Sequence, residues 1–162
     1  MDISIEVGDS MLNYRAAAVI RNGSKVLVHH SKRKDHVTLI GGRVAVGEDS
    51  ISAITREVKE EIGLSTKYVR PVAYIENFFK LNDKNYHEIL LIHELEFKDN
   101  NMYKKESFEA IEPHKKDILE FLWYDLENNN NTLKFIPKKL FGILKENNGE
   151  FIHVINNEIN KN

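Results

Sequence analysis

The chain contains no cysteine. Disulfides, thiolate metal sites and cysteine nucleophiles are therefore excluded, and a reducing compartment is compatible with the composition. No secretory leader is expected from "MDISIEVGDSMLNYR", which carries acids where a signal would carry bases and has no apolar core of signal length. No apolar run approaches the roughly 20 residues that a membrane helix needs, so no membrane partner is expected and the expected location is the cytoplasm. A strong net charge is missing too. The formal value of −2 argues against binding nucleic acid by wholesale charge attraction, although local basic patches stay open. There is no internal repeat and no linker.

What remains is an ordinary soluble composition, 41% hydrophobic and 30% charged over 162 residues, which suits one domain, 1–162, with a sizeable core. Two apolar runs, "YRAAAVI" and "KVLVHH", flank "RNGS", and Asn22–Gly23 suits a tight hairpin turn because both residues tolerate positive φ. "VTLI" (37–40) reads as a short strand stopping at Gly41 and Gly42. "KYVRPVAYIENFF" (67–79) and "YHEILLIHELEF" (86–97) read as two longer antiparallel strands. The polar segment 98–116 reads as a long loop, and "ILEFLWYDL" (118–126) as another strand. Pro137 opens a helix carrying Leu140, Phe141 and Leu144, and "FIHVI" (151–155) is a last strand. The sum is an α+β domain in which helices cover a curved, largely antiparallel sheet.

The chemistry concentrates in "GGRVAVGEDSISAITREVKEEIGL", from Gly41 to Leu64. At 100° per residue Ile51, Ile54, Val58 and Ile62 fall within an arc of roughly 80°, the stripe of a helix docked on a sheet, and Gly63 supplies its stop. Glu57, Glu60 and Glu61 occupy a neighbouring arc of about 100°. Acidic helix faces are usually solvated surface, but three carboxylates this close repel one another, and a divalent cation would offset that. Hard oxygen donors without cysteine suit Mg²⁺ or Mn²⁺, an ion that leaves positions for phosphate oxygens. Gly41 and Gly42 let the backbone approach metal and substrate closely, and Arg56 could hold a carboxylate through a forked hydrogen bond.

Read as a pattern, Gly42, five residues, Glu48, seven residues, then Arg56-Glu57-Val58-x-Glu60-Glu61-x-Gly63-Leu64 matches every fixed position of the signature of the Nudix (MutT-like) hydrolase family. The order of elements is similar to that family from roughly Tyr14 to Ile155; Ile40 departs from it, standing where many members have proline. The resemblance implies an α/β/α sandwich around a mixed sheet, with the box as a loop-helix-loop. It implies hydrolysis of a nucleoside diphosphate linked to another group, by water attack on phosphorus, with Mg²⁺ or Mn²⁺. Glu57, Glu60 and Glu61 then resemble the metal glutamates, the Gly41 carbonyl a further ligand, Glu48 the outlying box glutamate with a supporting metal role, and Arg56 the orienting arginine. The proton acceptor would be Glu57 or an acid outside the box, for which Asp117 and Glu112 are candidates.

Phe78, Phe79 and Tyr86 could stack a nucleobase, although aromatics near strand ends more often pack. A binding module that senses a nucleotide without turning it over is the alternative; such relatives tend to lose box carboxylates, and all four glutamates are present here. The expected partner is a small nucleotide. Triphosphates, ADP-ribose, nucleotide sugars, dinucleoside polyphosphates and the capped 5′ end of an RNA all stay open, as does a homodimer.

Overall fold

Strands with alternating apolar and polar residues dominate the chain, and two amphipathic helices are set among them. The computed structural model describes residues 1–111, 118–128 and 130–159. In chain order come β1 (Ser4–Val7), β2 (Ser10–Val19), β3 (Arg21–Asn22), β4 (Lys25–Ser31), β5 (His36–Val37), β6 (Ile40–Arg43) and helix α1 (Ser50–Ile62). They are followed by β7 (Thr66–Leu81), β8 (Lys84–Phe97), a 3-10 turn (Asn100–Lys104), β9 (Ser107–Ile111), β10 (Ile118–Asp125), β11 (Lys134–Phe135), α2 (Lys138–Glu146) and β12 (Ile152–Asn157). Among the described residues, no helix is long and apolar enough to cross a membrane.

One sheet runs β1-β2-β8-β7-β12, with β6 also paired to β2; a second runs β3-β4-β10-β9. The first is mixed, since β2–β8 and β7–β12 are parallel and the other pairs antiparallel. β2 shows why two layers cover it. Ala16 to Ile20 are all buried, the pattern of a strand with both faces covered. Ala17 and Val19 share one core with Ala73, Ile75, Ile92 and, from α2, Leu140 and Leu144. Ala16, Ala18 and Ile20 share the other with Ala53, Ile54 and Val58 of α1. The helices thus cover opposite faces, giving the α+β sandwich that the resemblance implies.

Several details correct the reading from sequence. Asn22 pairs with Lys25, so the turn residues are Gly23, at φ +61°, and Ser24, while Asn22 stays in β3. The flanking apolar runs also part company: β2 is engaged by β1, β6 and β8, leaving β4 to the second sheet. "VTLI" divides between β5 and β6, and Gly41 and Gly42 lie inside β6, paired with Ala17 and Ala16. The polar stretch after 98 contains the 3-10 turn and β9, whose Phe108 and Ala110 alternate toward the core while Ser107, Glu109 and Ile111 are exposed. That period of two marks an edge strand embedded in polar sequence. Ile51, finally, is 36% exposed, and the buried stripe of α1 is Ser50, Ala53, Ile54 and Val58. The strand pair β7–β8 forms as expected; its turn is Asn82–Asp83, both at positive φ, the conformation that matches strand twist in a two-residue hairpin.

Candidate active site

Helix α1 is held at both ends. Asp49 caps its N-terminus by accepting from the amides of Ile51 and Ser52, each at 2.9 Å, and Gly63 ends it in the left-handed conformation with its N–H on Lys59 O. Ser50 Oγ and His93 Nε2 of β8 are hydrogen-bonded at 2.9 Å in the core, which fixes the rotation of the helix against the sheet. Burial pushes His93 below the usual imidazole range, against a weaker opposing pull from Asp49.

Arg56 is the hub of the acidic face. Its Nε donates to Glu48 Oε1 at 2.9 Å and its Nη2 to Glu48 Oε2 at 3.0 Å; Nη1 donates to Glu57 Oε1 at 2.7 Å and to Glu60 Oε2 at 3.2 Å. Nη2 also reaches the Arg43 carbonyl at 3.3 Å, and Glu48 Oε2 accepts from the Ala45 amide at 3.0 Å. One guanidinium therefore ties the end of β6, the following loop and the helix together, a use of its planar fork that lysine could not copy. The Glu48 hydrogen bond, and after it Glu57, raises Arg56 further above its already high range despite the opposing effect of burial. In return, Arg56 chiefly, with help from the Ala45 amide, holds Glu48 below the usual carboxylate value.

The glycines meet this hub from the sheet. A Cβ on Gly42 would lie 2.0 Å from the Glu57 carboxyl carbon, so the missing side chain is the space into which that carboxylate packs. A side chain there would displace it. Among the described residues, no three carboxylates or histidines stand grouped to hold an ion; Glu48, Glu57 and Glu60 converge on the guanidinium instead. The donor set is nonetheless all oxygen, a carboxylate is seated against a glycine backbone, and Glu57 has Oε2 left over from its Arg56 contact. These residues fit a hard divalent cation that would share oxygens with Arg56.

Against strands β2, β7 and β8 lies a cleft of about 500 Å³, on the α2 side, within the range of small-ligand sites. Its lining includes Arg15, Gly41, Asn77, Phe79, Glu88 and Ile136. Arg15 Nη2 donates to the Gly41 carbonyl at 3.3 Å, and its Nε lies 3.9 Å from Glu88 Oε2. Gly41 thus faces the cleft while its neighbour Gly42 faces the box helix.

The other expected residues are distributed unevenly. Phe79 lines the cleft and stacks on Tyr86, with ring centres 4.9 Å apart, whereas Phe78 lies 4.4 Å from His87; neither Phe78 nor Tyr86 is among the lining residues, nor is Gly42. Glu61 sits half-buried on α1, one turn beyond Glu57. Glu112 and Asp117 lie outside the described residues. Arg15, Asn77 and Glu88 belong to no motif legible in the sequence. The signal they do give there is a polar residue at an inward position of otherwise apolar alternation.

A NUDIX domain model matches residues 11–141, and the chain belongs to that family, the Nudix hydrolases, whose members generally use a divalent metal ion. No curated protein matches it by sequence. Among solved structures, a UDP-X diphosphatase is 20% identical with a TM-score of 0.54, over 86% of this chain and 66% of its own length, just under two-thirds. An ADP-ribose pyrophosphatase from Streptococcus suis is 14% identical with a TM-score of 0.57, covering 89% of this chain and 98% of that one. A NUDIX-family hydrolase from Clostridium perfringens gives 19% and 0.58, over 83% and 94%. At these identities the likeness is one of fold.

Proposed function

We propose that the chain is a Mg²⁺- or Mn²⁺-dependent pyrophosphohydrolase that cleaves the diphosphate of a nucleoside diphosphate linked to another group, acting on small nucleotides in the cytoplasm. The carrying observation is the Glu57 carboxylate seated in the Gly42 void, with Gly41 beside it opening onto a nucleoside-sized cleft. The names of two structural neighbours, a UDP-X diphosphatase and an ADP-ribose pyrophosphatase, support the substrate class.

In this reading Glu57, Glu60 and Glu61, with the Gly41 carbonyl, would hold the ion, and Glu48 would support them through Arg56. The ion, when bound, neutralises charge on the diphosphate and acidifies water. Arg56 keeps Glu57 Oε1 fixed and leaves Oε2 as the oxygen that takes the water proton. Arg15, which lines the cleft and donates to the Gly41 carbonyl, would meet the phosphate end of the substrate with its guanidinium.

The test is release of phosphate or pyrophosphate from a panel of nucleotide conjugates with Mg²⁺ or Mn²⁺, with Glu60→Gln and Glu61→Gln run beside the unaltered protein. Each substitution is expected to lower turnover by roughly 100-fold or more while leaving the unfolding transition in place. Full activity in both variants would overturn the metal-site reading. Silence across the panel, with metal-dependent nucleotide binding intact, would identify a sensor instead.

A further inference from the structure

Strand register places five polar residues at one level across five neighbouring strands. Ser4 pairs with Asn13, Asn13 with Glu88, Glu88 with Asn77, and Asn77 with Asn156. Asn13, Glu88, Asn77 and Asn156 are all buried, Glu88 being 6% exposed and Asn77 5%. Hydrogen bonds join Ser4 Oγ to Asn13 Oδ1 at 2.7 Å in one part of the row and, in the other, Asn77 Nδ2 to Glu88 Oε1 at 3.0 Å and Asn156 Nδ2 to Asn77 Oδ1 at 2.7 Å. The amides explain themselves as a ladder that fixes register. The carboxylate does not. A glutamine at 88 would complete the same ladder without a buried charge, which costs far more to desolvate than an amide.

Glu88 lines the cleft, and its Oε2 has Arg15 Nε as its cation at 3.9 Å, longer than a hydrogen bond. An ionised carboxylate offers about four lone-pair sites, and Asn77 uses one. Because Asn77 donates one amide hydrogen to Glu88 and its oxygen accepts from Asn156 Nδ2, its side chain is held from both ends. The lining of the cleft is mixed, with Leu39, Phe79, Leu90 and Ile136 beside Lys34 and Lys80. A fixed, buried acceptor lining a cleft discriminates between ligands with and without matching donors, because the wrong ligand leaves a buried polar group unmet.

We propose that Glu88 is a specificity-determining residue that accepts hydrogen bonds from the nucleoside half of the substrate. The donors are adjacent N–H groups on the base, as guanine presents, or the ribose hydroxyls. This rests on the nucleotide reading above. Ladder, charge and cleft are three separate observations that meet at one side chain.

The experiment measures binding of non-hydrolysable α,β-methylene nucleoside diphosphates to the intact protein by calorimetry, with Mg²⁺ present. One arm compares guanosine with inosine, which lacks the 2-amino donor; the other compares ribose with 2′-deoxyribose. The unaltered protein is expected to prefer the donor-bearing ligand in one arm by tenfold or more, and that arm names the donor. Glu88→Gln, checked for its unfolding transition, is expected to lose the preference. No preference in either arm of the unaltered protein overturns the proposal whether or not the variant folds, as does a preference that survives in a folded Glu88→Gln. Turnover of the panel of nucleotide conjugates separates the two readings: a preference without turnover of any conjugate overturns the hydrolase and leaves Glu88 standing, while turnover without preference does the reverse.

Discussion

Gly41 and Gly42 are neighbours in the chain, yet a methyl group on each would meet different matter. On Gly42 it would strike the end of the Glu57 side chain, and on Gly41 the carbonyl oxygen of Ala16 at 2.5 Å and the Cα of Ala17 at 3.0 Å. A side-chain end can move aside; paired backbone cannot. Gly42→Ala is therefore expected to lower turnover and metal affinity by roughly 10- to 100-fold, the usual effect of disturbing how a ligand is seated, with little change in thermal midpoint. Gly41→Ala is expected to destabilise the fold by about 1–3 kcal/mol, read by denaturant unfolding. Arg56 supplies a second test at this scale. Because Glu48 is held below its ordinary value of 4.5 chiefly by Arg56, its contribution is present above that value and is lost as pH falls through the lower folded-state pKa. Arg56→Gln is expected to lower stability near pH 7 by about 1–2 kcal/mol, at the modest end because the guanidinium is a third exposed. The loss of stability between pH 5 and pH 3 should then be shallower in the variant. Urea unfolding across that range checks both.

At the scale of the element, α1 depends on a stripe narrower than the periodicity of its isoleucines suggests. Ile54 is fully buried against Ala16, Ala18 and Ile20, whereas Ile51 is 36% exposed. Ile54→Ala is expected to cost about 2–4 kcal/mol and Ile51→Ala no more than about 0.5 kcal/mol, both measured by chemical denaturation. Equal losses would mean that the helix sits rotated from this arrangement. The wheel places both residues on one side because it knows only angle. What decides between them is where the sheet ends: Ser50, with its bond to His93, and Ala53 fill the contact at the N-terminal turn, so Ile51 is left at the margin. The same logic explains β9. Its apolar residues alternate over only five positions, too short a pattern to stand out in polar surroundings until β10 offers an edge to pair with.

Across the whole molecule, the two halves of the site are built by different devices. The box is local: within Gly41 to Leu64 the cap, the carboxylates, their arginine and the stop all lie within one helix and its approaches, so spacing in the chain maps directly onto spacing in space. That is why helix, box residues and family are legible in the amino-acid order. The cleft is non-local. Arg15, Asn77, Glu88 and Ile136 come from β2, β7, β8 and the segment before α2, and each alone reads as one polar or apolar residue in a strand or loop. Only the registers Asn13↔Glu88 and Glu88↔Asn77 turn separate polar interruptions into a row. A shift of one residue in any strand would send its member to the other face and dissolve the row. The sequence by itself thus determined the box helix, with its carboxylates, arginine and stop, because a helix fixes its own geometry through bonds between near neighbours. Tertiary structure alone decided the floor of the cleft, because strands acquire their neighbours only when distant segments pair.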